Sequence, residues 1–167
     1  MPYYSGFFED ANCYKLNQEF EGYGFLENVD VEGESFDLNQ FLHGYCDEFA
    51  YFQAMKHAYN IVVWYEVNEE TQQFSLIHAF NHFNEGGVDY YLDVRGITSD
   101  LASILEEFED YEYEQVAIFS DTNQFIKFME SMYQEYYRPL KLGEIELIDQ
   151  NFGCYYQWTR PRFLKCS

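Results

Sequence analysis

Lysine and arginine are scarce in this chain. Nine basic residues stand against 30 aspartates and glutamates, and the formal net charge is −21. The imbalance lies in residues 1–137, which carry a net charge of −23, whereas residues 138–167 carry +2. A surface this acidic repels phosphate, so we expect no direct contact with nucleic acid. It attracts basic partners, including proteins whose own task is to bind nucleic acid.

Long hydrophobic runs and paired cysteines are also missing. No apolar stretch approaches the roughly 20 residues that span a membrane, and "MPYYSGFFED" lacks the basic start and apolar run of a signal peptide. The four cysteines are widely spaced without a CxxC motif, which excludes an ordinary zinc knuckle and a disulfide framework. No cluster has metal-ligand spacing and no glycine-rich loop suits a phosphate, so no cofactor is predicted. These absences predict a reduced, cytoplasmic protein without a membrane segment.

Linkers and repeats are absent as well, and the chain contains only three prolines. A length of 167 residues without a linker predicts a single domain over residues 1–167. The hydrophobic fraction is 47%, which is enough to build a core, and aromatic residues make up 22%. Tyrosine covers apolar surface while its hydroxyl stays hydrated, so part of this surplus is expected to face a partner or a groove.

The hydrophobic pattern predicts an α+β fold. The first 40 residues of the chain are polar and are predicted to be irregular. Helices are predicted over residues 46–59, 100–109 and 121–137. Strands are predicted over 61–67, 74–83, 88–96 and 115–120, with one or two more in 144–164. Ala50, Ala54 and Ala58 form a small-residue stripe, so the first helix is expected to pack closely across an antiparallel sheet.

The "NEGG" turn predicts a hairpin that brings a histidine to Asp93. If Asn84 lies opposite Gly87, His78 lies directly across from Asp93; a longer loop gives that position to His82. A cross-strand pair is within reach of a side-chain hydrogen bond. The strand alternates, so one face is expected to turn toward the helix at residue 46, carrying Phe74, Leu76, His78, Phe80 and His82.

Cys46 stands at the predicted start of that helix. The helix dipole and the unpaired N–H groups of the first turn favour a thiolate there, whereas the neighbouring carboxylate of Asp47 raises the thiol pKa. A nucleophilic cysteine also needs a base and a group that orients the base. Either strand histidine together with Asp93 supplies both.

The stretches "GYCDEFA", "IHAF" and "YYLDVRG" together resemble the core of the transglutaminase-like and papain-like cysteine enzymes. The resemblance covers about residues 40–100. It implies a helix with an N-terminal cysteine packed on an antiparallel sheet, followed by extra helices and strands. It also implies cleavage or transfer at a peptide, amide or isopeptide bond. The resemblance implies that Cys46 is the nucleophile and His78 the base. It implies that Asp93 orients the base and that Gln40 is an oxyanion-hole donor.

Two other interpretations remain open at this level. A cysteine at a helix start is often only a small apolar core residue, so the site can also be a degenerate one. The charge instead favours an inhibitor that imitates a nucleic-acid strand and occupies the groove of a basic protein. In composition the chain is similar to the small acidic antirestriction and anti-CRISPR proteins of phages and plasmids. Its densest acidic surface is Glu106, Glu107, Glu109, Asp110, Glu112 and Glu114. The expected partner is thus a basic protein or a peptide or amide substrate.

Overall fold

A five-stranded antiparallel sheet with helices packed on it forms the centre of the protein, so the predicted α+β class is confirmed. The structure is a computed structural model that describes residues 28–31, 34–105, 108 and 115–152. In chain order the elements are β1 (Asn28–Val31), β2 (Glu34–Asp37), a 3₁₀ helix (Leu38–Phe41), α1 (Cys46–His57), β3 (Asn60–Val67), β4 (Phe74–Glu85), β5 (Val88–Asp93), β6 (Gly96–Thr98), α2 (Leu101–Leu105), β7 (Gln115–Phe119), α3 (Thr122–Tyr133) and α4 (Leu142–Phe152).

The strand order in the sheet is β6-β5-β4-β3-β7. Strands β3 to β6 follow one another along the chain and pair as neighbours, and β7 returns to the free edge of β3. The β-branched and aromatic run of β3 explains its central position, because residues 61–64 are buried. The predicted strand over residues 61–67 is therefore confirmed.

Helix α1 packs closely on β4, as the small-residue stripe predicts. Ala50 and Ala54 are buried and belong to one hydrophobic cluster with Ala79 of β4. The side-chain amide of Asn81 donates to the backbone carbonyl of Ala50 at 2.8 Å, which ties the helix to the sheet. Ala58 is not part of the packed stripe, because it adopts a left-handed conformation (φ 58°) and ends the helix.

A β-bulge in β4 overturns the predicted face. The register with β3 shifts between the pairs Trp64–His78 and Tyr65–Leu76, which leaves Ile77 as an extra residue. The extra residue changes the phase of the alternation. Phe74 and Leu76 consequently pack with the cluster that contains Cys46, whereas Phe80 packs on Val62 and Ile104. The prediction of one continuous face turned toward α1 is wrong, and Ala79 and Asn81 are the residues of central β4 that contact the helix.

The hairpin between β4 and β5 has a turn as short as the tighter predicted register, but the turn lies one residue later in the chain. Asn84 pairs with Asp89 and Glu85 with Val88, so the turn consists only of Gly86 and Gly87. Both glycines have positive φ, 60° and 81°, as a two-residue type I′ turn requires. Both predicted registers are therefore wrong, and neither histidine lies directly across from Asp93.

The ends of the described chain also differ from the prediction. Residues 28–37, expected to be irregular, contain the antiparallel pair β1 and β2. Residues 144–152, expected to be extended, belong to helix α4 (Leu142–Phe152), with Ile145 and Ile148 buried on one helical face. Alternating apolar residues in "EIELI" suit a strand as well as a helix, and the buried pair three residues apart shows which period applies. The rest of the predicted C-terminal strands, residues 153–164, lies outside the described residues.

Candidate active site

His78 and Asp93 form a buried pair. His78 Nε2 lies 3.0 Å from Asp93 Oδ2, and the two side chains are 0% and 1% exposed. Because a carboxylate accepts hydrogen bonds, Nε2 carries the proton and donates, and Nδ1 is left as the basic nitrogen. Burial lowers the pKa of His78 despite the opposing charge of Asp93, so the ring is neutral at pH 7. The predicted contact between His78 and Asp93 is thus present in the structure, although the register that led to it is not.

Arg95 holds the carboxylate of Asp93 in place. Its backbone N–H donates to Asp93 Oδ1 at 2.8 Å, and its Nη2 donates to Oδ2 at 2.7 Å. The same Nη2 reaches the carbonyl of Ile104 at 3.0 Å. Burial alone would raise the pKa of Asp93, but the charge of Arg95 and the hydrogen bond from His78 overcome burial and hold that pKa well below its usual range. Asp93 is therefore a fixed anion that orients the imidazole.

Cys46 is the first residue of α1, as predicted, and only 3% of it is exposed. Backbone N–H groups of Ala79 and Asp47 stabilise its thiolate. Because Ala79 directly follows His78, the sulfur lies at the peptide that joins these two residues of β4. Burial, and after it the charge of Asp47, nevertheless raises the thiol pKa to about 12. The thiol is consequently protonated at pH 7 in this closed arrangement.

The edge of β4 explains how Cys46 approaches this strand. The ladder with β5 begins at the pair Asn81–Leu92, so the peptide of Ala79 lies beyond the ladder. The imidazole of His78 stacks on Phe108 at 4.6 Å between ring centroids. Within the described part of the chain, His78 Nδ1 has no hydrogen-bond partner, so no hydrogen bond joins it to Cys46 here.

The structure gives the other two predicted site residues different partners. Gln40 lies in the 3₁₀ helix, and its side-chain amide donates to Glu144 Oε2 of α4 at 3.4 Å. Its role as an oxyanion-hole donor stays a prediction. His82 contacts Asp89 through Nε2 at 2.9 Å and the amide of Asn60 through Nδ1 at 2.9 Å. Both ring nitrogens of His82 are thus occupied away from Asp93.

Several residues at the site carry no clear sequence signal. Arg95 is the exception, because its place two residues after Asp93 in "DVRG" indicates an ion pair with Asp93, and the structure contains that pair. Tyr137 lies 90 residues from Asp47 in sequence, yet its hydroxyl donates to Asp47 Oδ2 at 2.8 Å. Glu48 is buried and accepts the backbone N–H groups of Leu140 and Lys141. These contacts connect the start of α1 with the segment between α3 and α4.

The described residues offer neither a metal site nor a membrane-spanning helix. Among the described residues, no group of three or more His, Cys, Asp or Glu side chains could hold a metal ion. None of the described helices has the length and apolar character needed to cross a membrane. The six acidic residues of the dense segment from Glu106 to Glu114 lie outside the described residues.

Comparisons with known proteins give no assignment. No family model matches the chain, and no curated protein or solved structure matches it significantly. The resemblance to transglutaminase-like and papain-like enzymes therefore depends on the quoted residues of this chain alone.

Proposed function

We propose that this protein is a cysteine-dependent hydrolase or acyltransferase that acts on a peptide, amide or isopeptide bond. The observation that carries the proposal is the buried His78–Asp93 pair, whose Nδ1 has no hydrogen-bond partner among the described residues, together with a helix-N-terminal cysteine that reaches the peptide between His78 and Ala79. A neutral histidine fixed through Nε2 by a permanent anion is the arrangement that a general base needs. The proposal includes a papain-like or transglutaminase-like relation between α1 and the sheet.

The proposed reaction has two steps. Cys46 Sγ attacks the carbonyl carbon while His78 Nδ1 takes the thiol proton. Collapse of the tetrahedral intermediate breaks the C–N bond, and the same proton leaves with the amine. The resulting thioester is resolved by water or by a second amine, with Nδ1 again accepting the proton and returning it to sulfur. Backbone N–H groups in the first turn of α1 are suited to the developing oxyanion, and Gln40 is the proposed side-chain donor.

The proposal requires the thiol to become more reactive than it is in the closed arrangement. A thiol with a pKa of about 12 supplies almost no thiolate at pH 7. Since burial is the largest cause of that value, exposure of Cys46 to water lowers it. Hydrogen bonds at a catalytic site are often long without substrate and shorten in the complex. Proton transfer to His78 is therefore expected only after the site rearranges around a substrate.

The test is activity against peptide, amide and isopeptide substrates, measured for matched cysteine variants. Cys46→Ala should abolish turnover, and His78→Gln should reduce it by about 10²-fold or more. The control is the triple variant in which Cys13, Cys154 and Cys166 are replaced by serine, which should keep full activity. Mass spectrometry should detect the thioester at Cys46. Turnover that survives Cys46→Ala contradicts the proposal.

A second function is supported by charge alone. With a net charge of −21, the protein could occupy the basic groove of a DNA- or RNA-binding protein as a decoy. In that case binding weakens with salt, DNA or RNA competes for the partner, and Cys46→Ala changes nothing. Titration of a basic nuclease at low and moderate ionic strength, with native protein and Cys46→Ala in parallel, separates the two functions.

A further inference from the structure

The segment that joins α3 to α4, residues 134–141, contacts the first turn of α1. We call this segment the strap. It leaves α3 at Gln134, which is left-handed (φ 57°), and ends where α4 begins. Tyr136 and Leu140 of the strap are 78% and 75% exposed, whereas Tyr137 points inward and packs against the cluster that contains Cys46. Tyr137 is therefore the aromatic side chain of the strap that packs near the proposed nucleophile, Cys46.

The strap is attached to the two residues that directly follow Cys46. The hydroxyl of Tyr137 donates to Asp47 Oδ2 at 2.8 Å. Glu48 Oε1 accepts the N–H of Lys141 at 2.6 Å and that of Leu140 at 2.5 Å. Hydrogen bonds to a carboxylate are among the stronger ones, and here three of them hold one short segment.

Ring contacts complete the closure. The ring of Tyr137 contacts that of Phe125 at 5.5 Å and that of Tyr51 at 5.9 Å, both edge-on. Tyr137 packs against the same hydrophobic cluster that contains Cys46. Aromatic contacts as well as hydrogen bonds therefore hold the strap next to the cluster that contains the buried Cys46.

We propose that the strap is an autoinhibitory cover over Cys46, held shut by the hydrogen bond from Tyr137 to Asp47 and by Glu48, and that its release exposes the thiol. This inference rests on the proposed function only in calling Cys46 the nucleophile. It accounts for a thiol that is buried and protonated although the protein also contains a candidate base and an anion that orients it. Release removes the burial that is the largest cause of the raised thiol pKa.

The test is the rate at which iodoacetamide alkylates Cys46 at pH 8, measured by peptide mass spectrometry. Tyr137→Phe keeps the ring contacts but removes the hydroxyl, and it should increase the alkylation rate about tenfold, as expected for one hydrogen bond to a charged acceptor. The matched control is Tyr136→Phe, which removes an exposed hydroxyl from the neighbouring residue and should leave the rate unchanged. Equal rates for Tyr137→Phe and native protein overturn the proposal.

Global unfolding has to be separated from release of the strap. Ile61→Val lowers the stability of the buried cluster but leaves the hydrogen bonds of the strap intact, so it should alkylate at the native rate. If Ile61→Val speeds alkylation as much as Tyr137→Phe does, reaction occurs through the unfolded state and the proposal fails. The readout needs no substrate. If Tyr137→Phe speeds alkylation but no substrate is turned over, the strap proposal is supported and the enzyme proposal is contradicted. If turnover depends on Cys46 but Tyr137→Phe leaves alkylation unchanged, the enzyme proposal is supported and the strap proposal is contradicted.

Discussion

Replacing Asp93 with asparagine should strongly destabilise the protein. Asp93 is 1% exposed and accepts hydrogen bonds from His78 and from the backbone and side chain of Arg95. Asparagine removes the charge of Asp93 from the buried guanidinium, and either orientation of its amide sets an NH₂ group against a donor. Removing one partner of a buried ion pair costs about 3–5 kcal/mol of the free energy of unfolding. That is a large fraction of the 5–15 kcal/mol typical of a domain.

The assay is urea unfolding at pH 7 followed by far-ultraviolet circular dichroism. With a slope near 2 kcal/mol per molar urea, the loss corresponds to a midpoint lower by about 2 M. The matched control is Asp89→Asn, because Asp89 also contacts a histidine, His82, at 2.9 Å but at an exposed position. The control should unfold at the native midpoint. If Asp93→Asn lowers the midpoint no more than Asp89→Asn does, the buried contacts of Asp93 do not stabilise the folded protein.

The same pair predicts the sign of a pH dependence. The pKa of Asp93 is lower in the folded protein than the ordinary value of 3.8. Its stabilising contribution is therefore complete above about pH 4 and is lost as the pH falls toward the folded value. The difference in unfolding free energy between native protein and Asp93→Asn should be largest near neutral pH and should narrow below pH 4. A difference that stays constant down to pH 2 would refute this reasoning.

Three further substitutions test the packing and the edges of the fold. Phe125→Ala removes a 0% exposed ring between α3 and the sheet and should cost about 3–5 kcal/mol in urea unfolding. Gly87→Ala places a β-carbon at φ 81° in the β4–β5 turn and should cost about 1–2 kcal/mol, measured in the same way. Ile118 is 62% exposed on the edge strand β7, so Ile118→Lys should change the midpoint little but reduce light scattering in concentrated solution.

The hydrophobic pattern correctly predicts those helices and strands whose burial follows from their own residues. Strand β3 is a β-branched run buried on both faces, and the Phe125 and Met129 pair of α3 follows the helical period. The bulge at Ile77 had no such signal, because an extra residue is visible only when both strands of the pair are known. The period of two in "EIELI" also misassigned α4, whose Ile145 and Ile148 are buried together.

The candidate site likewise contains residues that the local sequence indicates and contacts that depend on distant parts of the chain. Cys46, His78 and Asp93 could be selected because each lies at a recognisable point of a helix or strand. The contact between His78 and Asp93 survived a wrong register, since it is diagonal rather than directly across the strands. Tyr137 could not be found, because its contact with Asp47 depends on the path of the chain after α3.

The topology also determines when the thiol is covered. Strands β3 to β6 pair with their neighbours in sequence, and α1 packs on them, so this part closes only short loops. Strand β7 pairs with a strand that lies about 50 residues earlier in the chain, as the hydrogen bond from the Tyr65 hydroxyl to Gln115 shows. Helix α3 and the strap follow β7 in sequence. During synthesis the part that holds Cys46 therefore emerges and folds before the part that covers it. With the strap as the proposed cover, we expect Cys46 to react faster with electrophiles in a nascent chain that ends before α3 than in the complete chain.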